Sequence, residues 1–207
     1  MTLSSVIGTV CLVLGLSFVW PQVFRIYRVR SVEGISPRGQ LHAISGSWFW
    51  VVYGYAKLNV PMMVSNTVYL LATVFITAML IRHRKMPAWH LIAVIGIFMT
   101  IALLTAFINP AITAWIGIGI GTTSIIPQAT YALRYADLSG VSIGMYGLLT
   151  LSCCMWMLYG FVIGDLLMSA PNFILIPCSV LIATKAWRYQ RRRARAQVVA
   201  AVEPANA

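Results

Sequence analysis

The sequence has 207 residues, of which 60% are hydrophobic and 9% are charged, and its formal net charge is +11. A soluble domain carries roughly a quarter charged residues, so this composition excludes an ordinary soluble enzyme and indicates a surface that faces lipid. The four cysteines lie in apolar stretches and the three histidines are scattered. The sequence therefore predicts no disulfide framework, no metal site and no cofactor.

Seven apolar stretches follow one another along the chain, most of them close to the roughly 20 residues that cross a bilayer core. The second is short and must borrow residues from its flanks. The first has neither a basic start nor a small-residue cleavage site, so we interpret it as a span rather than a signal peptide. In chain order the stretches are about Leu3–Phe24, Leu41–Ala56, Pro61–Ile81, Trp89–Phe107, Ala111–Ala132, Ile143–Ile163 and Leu166–Trp187.

The basic residues lie almost entirely on one side of this layout. Fourteen of the 15 Lys and Arg residues fall in the first, third and fifth loops and the C-terminal tail, and Lys57 alone falls on the other side. Basic loops stay in the cytosol, so we predict an outside N-terminus and a cytosolic C-terminus. Residues 191–207 are predicted to be a disordered basic tail near anionic lipid. The membrane topology accounts for the positive net charge, so no nucleic-acid partner is predicted.

The chain matches itself when it is shifted by about 106 positions, which is the signature of an internal repeat. Each copy holds three helices, so a further helix between the copies restores their orientation and makes the repeats parallel. We predict an all-α integral membrane protein of seven transmembrane helices in a 3+1+3 arrangement. The repeats occupy 1–86 and 111–190, and the linker helix occupies 87–110. Coinciding residues include Pro21-Gln22 with Pro127-Gln128, Trp50 with Trp156, Tyr53-Gly54 with Tyr159-Gly160, and Asn66 with Asn172.

A proline inside a helix removes a backbone hydrogen bond and bends the helix. Pro21 and Pro127 take such a position in both repeats, and Gln22 and Gln128 follow where an amide can bind the freed carbonyl. We predict that these four residues form hinges of an inner gate. A static bend that serves packing is the alternative.

Two repeat-equivalent pairs of side chains predict a binding pocket. An Asn in an apolar helix is costly unless it is hydrogen-bonded, and a two-fold axis can bring Asn66 and Asn172 face to face around a cavity. Their amides suit hydroxyls or a zwitterion, and the indoles of Trp50 and Trp156 suit the face of a sugar ring. The alternatives are interhelical hydrogen bonds for the amides and lipid-facing positions for the indoles.

The motifs WPQVFRIYRVRSVEGIS and IPQATYALRYADLSGVS, each followed by W-x-x-Y-G and an Asn, resemble the repeats of the PQ-loop family, in its SWEET and SemiSWEET branch. The resemblance implies a transporter whose two Asn residues contact the substrate. It also implies an outer gate formed by a tyrosine and an aspartate, which Tyr53 and Asp165 match, with Tyr159 at the repeat-equivalent position. A second proline of the family's pattern is matched by Pro37, but Ile143 stands at its equivalent.

None of the four acids, Glu33, Asp137, Asp165 and Glu203, falls in the middle of a predicted span. A proton relay or a cation site normally needs one there. We therefore expect a facilitative uniporter of a small neutral solute, first of all a mono- or disaccharide, that works by alternating access in the plasma (inner) membrane.

Other functions stay open at this point. One alternative is a proton-coupled neutral amino-acid transporter of PQ-loop type, in which Asp137 would be the proton site. Another is a non-transporting membrane receptor or scaffold. No catalytic constellation is present, so an enzyme is not expected, and the sequence leaves homo-oligomerisation open.

Overall fold

The computed structural model describes residues 2–29, 32, 35–134, 138, 141 and 143–202. The side chains at positions 21, 22, 25, 29, 127, 128, 131 and 198–202 lie outside the described part. The described residues form nine helices: α1 (Leu3–Ser17), α2 (Trp20–Val29), α3 (Pro37–Ala56), α4 (Val60–Arg82), α5 (Ala88–Ile108), α6 (Pro110–Arg134), α7 (Ile143–Ile163), α8 (Leu166–Ser169) and α9 (Asn172–Val202).

The predicted all-α class is confirmed. Four helices of the described residues are long and apolar enough to cross a membrane, namely Val60–Arg82, Ala88–Ile108, Ile143–Ile163 and Leu166–Gln197; two shorter apolar helices are Leu3–Ser17 and Pro110–Ile126. Helix α3 has 20 residues, but its first half carries Arg38, Gln40 and His42, which lower its mean hydropathy. Its polar half faces a cavity described below.

The first two predicted spans have different ends in the structure. The first is split, because α1 ends at Ser17 and α2 begins at Trp20, directly before Pro21. Proline lacks an N–H and fits the first turn of a helix better than its interior, so the chain breaks there. The second span gains residues at its start: α3 begins at Pro37, and the Ser36 hydroxyl accepts a hydrogen bond from the Gly39 N–H at 3.2 Å.

The last predicted span is also split, because α8 ends at Ser169 and α9 begins at Asn172 after a turn that contains Pro171. Helix α9 then continues to Val202, through the segment for which the sequence predicts disorder from residue 191. Arg, Ala and Gln, which dominate this segment, are good helix formers, and the Arg191 guanidinium lies 5.1 Å from the centre of the Trp187 ring.

The packing of the helices follows the repeat. In the first half α4 packs between α1 and α3, and in the second half α9 packs between α6 and α7. The halves meet twice, through α1 against α7 and through α3 against α6, which are equivalent contacts. Helix α5 packs on α3, α4 and α6. Equivalent helices therefore make equivalent contacts, as a two-fold relation between the halves requires.

Each half has its own buried cluster at the end of the bundle where α2 and the C-terminal part of α6 lie. A third cluster joins the two halves at the opposite end, near Asp165. The first-half cluster comprises Ile26, Val32, Ile76, Leu80 and Met86. The second-half cluster comprises Ile125, Ala129, Ala132, Leu138, Ile182 and Ala186. The joining cluster comprises Ile7, Cys11, Tyr53, Met62, Ala114, Tyr159 and Met168.

Candidate functional site

A cavity of about 420 Å³ lies between the two halves, and we call it the central cavity. Its size falls in the range of small-molecule sites. The four predicted pocket residues, Asn66, Asn172, Trp50 and Trp156, all line it. Repeat-equivalent positions on its wall are Gly15 and Gly121, Phe18 and Ser124, Trp50 and Trp156, Met62 and Met168, Ser65 and Pro171, Asn66 and Asn172, and Tyr69 and Leu175.

The two amides of the central cavity are held in the same way. The Asn66 Nδ2 donates to the Met62 carbonyl at 3.0 Å, and the Asn172 Nδ2 donates to the Met168 carbonyl at 3.2 Å. A carbonyl can only accept, so these contacts fix which side of each amide carries the nitrogen. Each Asn keeps its Oδ1 and one N–H without a partner among the described residues. Both can serve a solute with hydroxyl groups.

The two indoles of the cavity pack on the tyrosines one helical turn further along their helices. Trp50 meets Tyr53 edge to face, with ring centres 6.1 Å apart, and Trp156 meets Tyr159 at 5.9 Å. Edge-to-face pairs of this kind are favourable and hold the indoles in fixed orientations. The tyrosines thus connect the wall of the cavity to the layer below it.

The two tyrosines belong to a layer of side chains at the end of the bundle near Asp165, which we call the Asp165 end. The buried Tyr53 hydroxyl donates to the Asp165 carboxylate at 2.8 and 2.9 Å. At the equivalent place the Asn59 Nδ2 donates to the Tyr159 hydroxyl at 3.3 Å. Each bond joins one half of the protein to the other. Together with Met62 and Met168 these residues separate the central cavity from the Asp165 end.

The two bonds across this layer differ in charge. Tyr53 donates to a carboxylate, whereas Tyr159 accepts from a neutral amide, and a hydrogen bond to a charged group is worth roughly 1.5–3 kcal/mol against about 0.5–1.5 for a neutral one. Asp165 also caps α8 by accepting from the Met168 N–H, and Asn59 caps α4 by accepting from the Met62 N–H. The Lys57 ammonium lies 5.8 Å from the centre of the Tyr53 ring.

The glycine of each Tyr-Gly pair permits a close approach at this layer. A Cβ on Gly54 would lie 3.0 Å from the Met63 nitrogen. A Cβ on Gly160 would meet the Ser169 hydroxyl most closely and would lie 2.8 Å from the Asp165 carbonyl oxygen. The Met63 and Asp165 atoms belong to the backbone, which cannot move aside cheaply. The W-x-x-Y-G motif therefore combines a cavity residue, a layer residue and a close helix contact.

A second and wider cavity of about 910 Å³ opens at the opposite end, where α3 begins, and we call it the vestibule. Helix α3 spans about 30 Å at 1.5 Å per residue, so the vestibule and the Asp165 end lie on opposite sides of the molecule. Trp50, Asn66, Tyr69, Gly121 and Ser124 line both cavities. The central cavity is thus continuous with the vestibule.

The predicted gate residues fall into two groups. Tyr53, Tyr159 and Asp165 come together in the layer at the Asp165 end. Pro37 is the first residue of α3, beside the vestibule. The side chains of Pro21, Gln22, Pro127 and Gln128 lie outside the described residues; their backbones belong to α2 and α6.

Sequence reasoning missed Phe18 and Tyr69, whose rings stack at 5.4 Å on the wall of the central cavity. Tyr69 lies three residues after Asn66 on the same helix, so helical spacing from Asn66 was the available signal. Phe18 has no such signal, because it lies in the turn between two helices. Among the described residues no group of three or more His, Cys, Asp or Glu side chains can hold a metal ion.

Two helical halves around a shared cavity define this chain as a helical membrane protein with an internal repeat. A family model described as the PQ loop repeat matches residues 3–63. The chain is 24% identical over 179 residues to the bidirectional sugar transporter SWEET13 of Oryza sativa subsp. japonica, a match that covers 74% of this chain and 57% of the relative. It is 22% identical to SWEET15 of Oryza sativa subsp. indica, over 74% of this chain and 53% of the relative.

The chain thus spans about half the length of these relatives. Its fold is similar to that of a eukaryotic SWEET transporter, with a TM-score of 0.75 and 12% identity, over 92% of this chain and 100% of the other. All of these proteins are named as transporters. The resemblance to the PQ-loop and SWEET transporters that the paired motifs predict is confirmed.

Proposed function

We propose that this protein carries a small hydroxylated solute, a mono- or disaccharide, down its concentration gradient across a membrane. The observation that carries the proposal is the central cavity, which is walled by equivalent amides and indoles from both halves. One face of the cavity belongs to each half, as a site between two moving halves requires. The names of the sugar-transporting relatives support the same substrate class.

The chemistry of the wall suits a sugar better than an ionic solute. Each amide offers one acceptor and one donor, which match hydroxyl groups, and each indole offers an apolar face, which matches the C–H face of a pyranose. No carboxylate, ammonium or guanidinium is among the residues that line the central cavity in the described chain. A zwitterion would have no charged partner there.

In the proposed mechanism the described conformation is one of two. The layer of Tyr53, Asp165, Asn59 and Tyr159 closes the Asp165 end, while the vestibule leaves the cavity open at the other. Transport requires that this layer separates as the vestibule closes, with bending at the Pro21-Gln22 and Pro127-Gln128 segments. A uniporter needs no driving force other than the concentration gradient of the solute, which sets the net direction of transport.

We further propose that the seven apolar segments all span the bilayer, in a 3+1+3 order, with the vestibule on the cytosolic side of a plasma membrane. The shorter α1, the polar-faced α3 and α6 would span as parts of the bundle, since their polar groups face cavities rather than lipid. The basic residues of α3 and α9 then lie in the cytosol.

An uptake screen tests the proposed function. Purified protein in liposomes is offered radiolabelled glucose, maltose, sucrose and a panel of neutral amino acids, with Asn66→Ala protein as the matched control. We expect saturable sugar uptake that falls about ten-fold or more in the variant. Saturable uptake of amino acids but not of sugars would show that the substrate is a neutral amino acid. Uptake of neither would contradict the proposal of transport.

A further inference from the structure

Polar side chains of α3, α4 and α6 line the vestibule. His42 and Ser47 of α3 and Thr123 of α6 line it. In the other half, Leu148 stands at the position equivalent to His42, and Cys153 stands at the position equivalent to Ser47. The equivalent contact, α1 against α7, forms without an imidazole. The fold therefore does not need His42 at this place.

The His42 ring has one nitrogen engaged and one free. Its Nε2 donates to the Ile120 carbonyl at 2.7 Å, and because a carbonyl only accepts, the proton must lie on Nε2. In the neutral ring Nδ1 is then an acceptor, and it has no partner among the described residues. The half-buried ring is held between the two halves and presents a lone pair.

The hydroxyls of Ser47 and Thr123 also donate to backbone carbonyls, as the His42 ring does. The Ser47 hydroxyl donates to the Ala43 carbonyl at 2.7 Å, and the Thr123 hydroxyl donates to the carbonyls of Gly119 and Ile120, both at 2.9 Å. A hydroxyl has a single proton, so each of these oxygens is left with lone pairs only. His42, Ser47 and Thr123 therefore offer acceptors to the vestibule, and these acceptors suit a ligand that carries donors.

Two classes of solute bring donors, namely hydroxylated compounds and ammonium compounds. Arg38 also lines the vestibule, and its positive charge disfavours an ammonium group. Hydroxyl groups therefore fit this wall best. A solute held by Asn66 and Trp50 reaches the vestibule directly, since both residues line both cavities.

From this geometry we infer a second solute subsite in the vestibule, formed by His42, Ser47 and Thr123, that binds the second ring of a two-ring sugar while the central cavity holds the first. This inference rests on the proposed function and narrows its substrate class from sugars in general to sugars of two rings. A one-ring sugar held by Asn66 and Asn172 does not extend to this subsite.

The test compares matched one-ring and two-ring sugars. Calorimetric titration of the purified full chain with glucose and maltose gives Kd for wild type, His42→Leu and a control, His83→Leu, whose side chain is exposed beyond α4. We expect His42→Leu to weaken maltose binding roughly two- to ten-fold, the share of one neutral hydrogen bond, and to leave glucose binding unchanged. His83→Leu should change neither.

Thr123→Val removes one acceptor without changing shape and should act in the same direction, which keeps the test valid if His42→Leu does not fold. An equal loss for both sugars, or no loss for either, would overturn the subsite and leave the proposed function intact. If wild type binds neither sugar, the proposed substrate class fails and the subsite with it.

Discussion

The amides of Asn66 and Asn172 differ in burial although their hydrogen bonds are alike. Asn172 is 4% exposed, whereas Asn66 is half-buried and also borders the vestibule. In both residues the hydrogen bond to the backbone uses Nδ2, so Oδ1 is left for the cavity. Asn66 binds a carbonyl of its own helix α4, and Asn172 binds a carbonyl of the adjoining α8, four residues back in both cases. Among the described residues neither amide forms a hydrogen bond to the other half, as a role in joining the two halves would require.

We predict that Asn66→Ala and Asn172→Ala each weaken sugar transport about ten-fold, since each removes a neutral hydrogen bond and strands a ligand hydroxyl. Initial rates in liposomes at matched protein density measure the effect. Thermal stability in detergent should change little, because water can replace the lost partner in a cavity. Normal transport by the surviving molecules, together with lost expression, would contradict the binding role.

At the Asp165 end the two tyrosines provide a matched pair for a second prediction. Tyr53→Phe removes a hydrogen bond donated to a carboxylate, and Tyr159→Phe removes one accepted from a neutral amide. The first should raise the population open at the Asp165 end by roughly ten- to a hundred-fold, and the second by about two- to ten-fold.

Cys153, which lines the central cavity, reports this opening when the other three cysteines are replaced by serine. A membrane-impermeant thiol reagent is added at the Asp165 end, and the rate of alkylation is measured. The rate should rise more in Tyr53→Phe than in Tyr159→Phe. Equal rates in both variants, or a larger rise in Tyr159→Phe, would show that the carboxylate does not hold the layer closed.

At the scale of single helices, the contact between α7 and α8 depends on Gly160. A methyl group there meets the Ser169 hydroxyl of α8 and the Asp165 carbonyl, and the equivalent group on Gly54 meets the Met63 nitrogen. Gly160→Ala should lower the free energy of unfolding by about 1–3 kcal/mol, the usual penalty of overpacking. Gly54→Ala should lower it less, because its closest contact is longer.

Gly147 offers a control on the same helix as Gly160, since a Cβ there meets nothing within 4 Å. Gly147→Ala should be neutral or stabilise by up to about 1 kcal/mol, because alanine is the better helix former. Thermal unfolding in detergent compares the three variants. If Gly160→Ala is as stable as Gly147→Ala, the close contact is not important for stability.

The helices and several residues of the central cavity could be predicted from the sequence, because both leave periodic signals. Apolar stretches of spanning length mark the helices, and the shift that superimposes the repeats pairs Asn66 with Asn172 and Trp50 with Trp156. Hydropathy does not mark the breaks at Phe18 and Pro171, since apolar composition continues across both, although a proline lies at or near each break. Hydropathy measures the length of an apolar stretch and does not detect a turn inside it.

The vestibule could not be predicted for a different reason. Its wall joins His42 of one half to the Ile120 carbonyl of the other, and neither has an equivalent contact in the second copy. A search for repeated residues excludes such positions by design. Features that the two halves share follow from the repeat, and features that distinguish them require the packed structure.

For the whole molecule, the side of the membrane on which each end lies is a prediction from the basic residues. Leu58 is 83% exposed in the turn between α3 and α4, and His83 is exposed after α4. In whole cells, Leu58→Cys should react with an impermeant thiol reagent and His83→Cys should not, in a background without other cysteines. Labelling of His83→Cys alone would place the vestibule outside the cell.

The positions of the acidic residues predict whether transport is coupled to protons. The one acid in the described chain, Asp165, caps α8 and binds Tyr53, outside the central cavity; Asp137 lies outside the described residues. Proton-coupled carriers normally use an intramembrane acid, and none lines the central cavity among the described residues. Sugar in sealed vesicles should therefore rise only to the outside concentration, with or without an inward proton gradient. Accumulation above that level that is lost with an uncoupler, or with Asp137→Asn, would instead indicate proton-linked transport through the segment that contains Asp137.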